Sequence, residues 1–147
     1  MRYLLVDRIL ELNAGEKIRG IKNIAMSEDF LELHFPKNPV MPGMLLVEAC
    51  SQLAGWMEAA SSDFQNWFLL SRVRNAKFYG FSLPGDQVEL VVTPLPSDEA
   101  GKKAFSAIAT VAGKKKAVAE FEGDVIAVED YEDPEDQKKA FGLLMRP

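Results

Sequence analysis

The only histidine in the chain, His34, stands fourteen residues ahead of Glu48, so a side chain able to take a proton near neutral pH is paired with one able to give a proton. Pro36, Pro39 and Pro42 each fix φ and remove a backbone donor, and the stretch from His34 to Pro42 reads as a stiff, non-helical approach. A helix is expected next. Pro42 suits a first helical turn, and the apolar run from Met44 to Ala60 is rich in helix formers. On a helical wheel Leu45, Ala49, Leu53, Trp56 and Ala60 form one apolar stripe, widened by Leu46 and Met57. Gln52 falls inside it and Glu48 on its margin, whereas Glu58 lies opposite and is expected to be solvated. A carboxyl group against apolar surroundings has its charged form disfavoured, which suits a proton donor. Gln52, one turn beyond Glu48, is spaced to hold it by a hydrogen bond. Each residue also has a purely structural reading. A lone histidine is more often a hydrogen-bonded structural group, Glu48 can reach water from a helix margin, and Gly43 can simply start the helix.

The string HFPKNPVMPGMLLVEACSQ, from His34 to Gln52, resembles the pattern H-F-P-G-x-P-V-M-P-G-x-L-x-x-E-A-x-x-Q of the β-hydroxyacyl-acyl carrier protein dehydratases of the FabZ and FabA type. Tyr3-Leu4-Leu5-Val6-Asp7-Arg8 is similar to the family's opening segment, and Leu83-Pro84-Gly85-Asp86-Gln87 to its later turn, so the likeness runs from Tyr3 to roughly Val125. It implies that His34 takes the α-proton of the substrate, that Glu48 protonates the departing β-hydroxyl, and that the backbone N–H of Gly43 polarises the thioester carbonyl. Phe35, Val40, Met41, Pro42 and Gln52 would support the site or line the acyl tunnel. A helix N-terminus offers unpaired donors and a favourable dipole to enolate-like charge, whatever the family. Glutamate at position 48 resembles the FabZ branch, which dehydrates without isomerising. The likeness further implies a hotdog fold, acyl carrier protein as the carrier, and a homodimer, or a larger assembly of dimers, with His34 of one subunit facing Glu48 of the other.

Two positions depart from the pattern. Leu33 and Lys37 stand where the family has glycine. Asn38, which tolerates left-handed geometry, is expected to carry the turn in place of residue 37. A cation at Lys37 disfavours the imidazolium form of His34, and either side chain also bears on substrate access. These departures leave two other readings open: a hotdog thioesterase or hydratase acting on coenzyme A esters, and a non-catalytic acyl-binding protein.

The 147 residues, 48% hydrophobic and 27% charged, agree with one globular domain. No apolar run reaches membrane-spanning length and the start lacks a signal-peptide core, so a cytoplasmic protein is expected. The single cysteine, Cys50, excludes an internal disulfide and reads as a small buried residue. A net charge of −5 argues against a broad nucleic-acid surface. Lys102-Lys103 and Lys114-Lys115-Lys116 read as solvated strand ends or turns, whereas Arg72, Arg74 and Lys77 are candidates for contact with an acidic carrier protein. One histidine and one cysteine leave no metal motif, and no phosphate loop is present; cofactor-free chemistry is expected.

Strand-like segments run over Leu4–Leu12, Lys17–Met26, Phe68–Phe78, Gln87–Leu95, Lys102–Ala112 and Lys115–Val128, each β-branched, aromatic or alternating. Asn13-Ala14-Gly15, Pro84-Gly85-Asp86, Pro96-Ser97-Asp98 and Ala112-Gly113-Lys114 read as turns. The pattern supports an α+β domain, an antiparallel sheet of about six strands around one long helix, over residues 1–128. Residues 129–147 read as an acidic, solvated extension in which Glu135 to Met145 can form a short helix.

Overall fold

The computed structural model describes residues 3–147. Six strands, β1 (Arg8–Asn13), β2 (Lys17–Asn23), β3 (Asn66–Phe78), β4 (Gln87–Leu95), β5 (Lys102–Val111) and β6 (Lys114–Ala127), form one antiparallel sheet in the order β1-β2-β4-β5-β6-β3. The helix α1 (Gly43–Ser61) lies against its inner face, and α2 (Pro134–Met145) follows β6. The α+β arrangement of a sheet around one long helix is therefore present. No helix among the described residues is long and apolar enough to cross a membrane.

Alternation along β4 points Val88, Leu90 and Val92 inward, where all are fully buried. On β5 and β6 the inward positions include Ala107, Ala109, Ala117 and Ala119, small enough for α1 to bring Leu46, Val47 and Cys50 against them. Phe68, Phe105 and Phe121 close the core beside them in edge and tilted contacts. Gly55 of α1 is needed for another approach: a Cβ there would collide with the indole of Trp67.

This enclosure corrects the expectation for Glu58. A helix wrapped by a sheet is buried on its small-residue side as well as along its large apolar stripe, and Glu58 is only 7% exposed. Its carboxylate accepts a hydrogen bond from Lys103 of β5 at 2.5 Å, as a buried charge requires. Lys102 pairs with Asp124 at 2.8 Å, so neither lysine is simply solvated.

Several strand ends shift by one or two residues from the sequence pattern, β3 beginning at Asn66 for example, and two shift further. Leu4 to Asp7 lie outside β1, and the backbone N–H of Leu5 donates to the Gln52 side chain instead of extending the strand. Ile24 to Met26 lie outside β2, where the backbone of Ile24 exchanges hydrogen bonds with Gly85 and Asp86. The last segment is not a free extension. Asp133 caps α2 through Glu135 N–H, and Phe141 packs on Phe64 and Trp56 at ring-centre distances of 5.3 and 6.0 Å.

Candidate active site

The loop that carries His34 is held at both ends by one turn. Ile24 exchanges backbone hydrogen bonds with Gly85 and Asp86, and Met41 N–H donates to the Ser82 carbonyl at 2.9 Å. The turn itself is fixed by Gly85 at φ +94° and by the Asp86 carboxylate, which accepts from Leu83 N–H. Upstream, buried Lys22 reaches Glu28 at 2.5 Å and Asp7 at 3.5 Å and ties the start of the loop to the sheet.

Within the loop Phe35 and Asn38 exchange backbone hydrogen bonds, and Val40 N–H donates to the His34 carbonyl. The Nδ1 atom of His34 lies 2.9 Å from the Val40 carbonyl oxygen. A carbonyl only accepts, so Nδ1 carries the proton in this contact and Nε2 of the neutral ring keeps its lone pair. Val40 and Met41 are buried anchors, while Phe35 is half exposed and stacks on the imidazole with ring centres 4.3 Å apart. The His34–Phe35 peptide bond is cis.

The expectation for Asn38 is corrected. Neither Lys37 nor Asn38 has a positive φ, and Leu33 has none either, so the backbone closes here without left-handed geometry. A side chain at positions 33 and 37 therefore costs the loop no strain. Both are exposed, Leu33 at 82%.

Pro42 is the residue before the helix, with ψ of 130°, and Gly43 is its first residue. Pro42 thus stands one position earlier than a first-turn proline, and at Gly43 a Cβ would lie 2.6 Å from the Phe78 ring. No hydrogen-bond acceptor takes the Gly43 N–H among the described residues. It is one of the free donors that every helix start presents.

Glu48 lies one and a half turns into α1, half-buried, and its Oε1 accepts from Gln52 Nε2 at 3.0 Å. Gln52 also donates to the Tyr3 carbonyl at 2.8 Å and accepts from Leu5 N–H at 2.9 Å, so it fastens both the carboxylate and the chain's first described residues. Both side chains open into a cavity of about 700 Å³ whose apolar walls include Leu4, Trp56, Trp67 and Leu69. Trp56, two turns beyond Glu48 on the same helix face, was detectable by spacing alone. The cavity's contribution from α2 had no sequence signal near the motif.

His34 does not line that cavity, and no contact joins it to Glu48 within the chain. Of the candidate carrier contacts, Arg74 pairs with Glu122 of β6 at 2.8 Å and Arg72 with the same carboxylate at 3.4 Å. The Arg74 guanidinium holds the Glu122 carboxyl below the usual carboxylate range. Lys77, on the same strand, has no ion pair among the described residues. Cys50 is enclosed by the sheet, and burial pushes its thiol up to about 12.

The profile of the FabA-like domain matches residues 1–122. The chain is 39% identical over 129 residues to a 3-hydroxyacyl-[acyl-carrier-protein] dehydratase FabZ of Bartonella quintana (strain Toulouse), covering 86% of this chain and 83% of that protein. It is 41% identical over 121 residues to the protein of the same name from Geobacter metallireducens, covering 80% of each. Among solved structures, a hot-dog-like protein from Thermanaerovibrio acidaminovorans superposes with a TM-score of 0.65 at 16% identity over 92% of this chain and 96% of that one, a likeness of fold. A profile match that takes in the His34 loop, the Gly43 helix start and Glu48, with relatives this similar over most of both chains, makes this chain a member of the FabA-like domain family.

Proposed function

We propose that this protein is a cytoplasmic dehydratase that converts (3R)-hydroxyacyl thioesters, carried on acyl carrier protein, into trans-2-enoyl thioesters for fatty-acid or related acyl-chain synthesis. The observation that carries this reading is the His34–Val40 hydrogen bond, which leaves the imidazole Nε2 as the free base. Nε2 takes the proton from the carbon next to the thioester carbonyl. The electron pair of that C–H bond becomes the new double bond as the C–O bond at the β-carbon breaks, and Glu48 gives its proton to the leaving hydroxyl, which departs as water. The charge that gathers on the carbonyl oxygen is met by the Gly43 N–H at the helix start. Water then returns the proton from His34 to Glu48.

Separation of the two groups within one chain supports a homodimer as the catalytic unit, with His34 of one copy completing the cavity of the other. Strand β3 offers the means: it is a 13-residue edge strand with one side unpaired, and Phe78, Tyr79 and Phe81 continue it as exposed apolar residues. Lys77, with the exposed guanidinium of Arg72, supports docking of an acidic carrier, and Arg74 contributes less because Glu122 already occupies it.

The test is turnover of 3-hydroxyacyl thioesters on acyl carrier protein and on coenzyme A, with enoyl absorbance and free thiol followed together. Enoyl formation without thiol release, faster on the carrier protein, is the expected result. Thiol release without enoyl formation would make the protein a thioesterase, and neither signal would make it a binding protein.

A further inference from the structure

The cavity beside Glu48 has the volume of a site that encloses a small-molecule ligand, about 700 Å³. From Glu48 to Trp56 it follows α1 for about 12 Å, at a rise of about 1.5 Å per residue. The indoles of Trp56 and Trp67, edge to face at 5.1 Å, form the apolar stretch of its wall. Gln137 and Ala140 of α2 also line it, although α2 lies beyond residue 122, where the family match ends. No residue of α2 is fully buried; Phe141 packs against Trp56 and Phe64, Leu144 also packs on the core, and the helix lies beside β1.

We infer that α2 closes the acyl end of the site and sets the longest chain the enzyme accepts, with Trp56 and Trp67 as the surface along which that chain lies. This rests on the dehydratase reading, in which the reacting carbons sit at Glu48 and the rest of the acyl group extends away from it. Each methylene buried against the indoles raises kcat/KM about fourfold. The gain stops where the chain meets α2, and a longer chain must displace Phe141 or remain in water.

Both tryptophans of the chain line this cavity, so emission excited selectively in tryptophan, beyond the absorption of the tyrosines, reports it. Pantetheine thioethers bearing butyryl, octanoyl or dodecanoyl-length alkyl groups bind without reacting. The octyl-length probe is expected to change the emission and the butyl-length probe to change it much less. In turnover, Ala140→Trp should lower the kcat/KM ratio of 3-hydroxydodecanoyl to 3-hydroxybutyryl substrate by about 10-fold or more. Phe141→Ala should raise that ratio. Gln137→Trp replaces the first variant if circular dichroism finds it unfolded. Ratios unchanged in both classes of variant, or binding of the octyl probe seen by calorimetry with no change in emission, would overturn the inference while leaving the dehydratase reading intact. Changed emission and chain-length preference in probe binding, without turnover of any hydroxyacyl thioester, would sustain the acyl pocket and reject the dehydratase instead.

Discussion

Nδ1 of His34 and the carbonyl of Val40 are 2.9 Å apart, and the backbone N–H of Val40 in turn donates to the carbonyl of His34, so the imidazole is locked to its own loop by reciprocal bonds. The tautomer is set by the backbone, not by another side chain. His34→Ala and Glu48→Gln should each lower dehydration by about 100-fold or more with the fold intact, the usual contribution of a positioned acid or base. Near-normal turnover in either variant, measured by enoyl absorbance, would remove that residue from the mechanism.

Mixing those two inactive variants tests the shared site. Random exchange gives about half heterodimers, each with one intact site and one doubly damaged site, so activity should recover to roughly a quarter of wild type. Verified subunit exchange without recovery would put both residues in one chain's site.

Gln52 holds Glu48 and also fastens Tyr3 and Leu5, which predicts a double effect of Gln52→Leu. Stability should fall by about 1–3 kcal/mol, chiefly because the N–H of buried Leu5 loses its acceptor. Turnover per folded enzyme should fall as well, with KM less affected than kcat. A stability loss with unchanged kcat would make Gln52 a clamp for the amino-terminal segment alone.

Glu58→Gln gives the contrasting case. Its partner Lys103 is half exposed and can turn to water, so the loss should be about 1 kcal/mol by denaturant unfolding, with kcat unchanged. A large drop in kcat would mean that the Glu58 end of α1 bears on the site.

Cys50 makes alkaline stability measurable. Its thiol is raised from 9.0 to about 12 by burial, so the folded state keeps its proton where the unfolded state releases it. The unfolded state therefore binds fewer protons in that window. The stabilisation is fully present below pH 9 and is lost as pH rises towards 12. Cys50→Ala should reduce the alkaline slope of stability, and the wild-type thiol should resist alkylation at pH 8 until the protein is unfolded. Rapid alkylation of the native protein would contradict the enclosed position.

What the chain itself determined was largely local. Alternating runs marked β4 from Gln87 to Leu95 without error, the three prolines marked the His34 loop, and the spacing of His34, Gly43 and Glu48 marked a candidate site, because each depends on neighbours in sequence. Gln52 was placed against Glu48 by helical spacing alone. Only tertiary structure decided the rest. Glu58 looked solvated on a helical wheel because a wheel does not register a sheet folding over small residues, and Lys103 arrives from 45 positions away. The turn at Lys37 needed no glycine or left-handed asparagine because Val40 bonds back to His34 within the loop while Ser82 and Gly85 fix it from outside. The aromatic plug of Phe141 on Trp56 joins segments that share no pattern, since packing between distant elements depends on shape and on which surfaces the topology leaves uncovered.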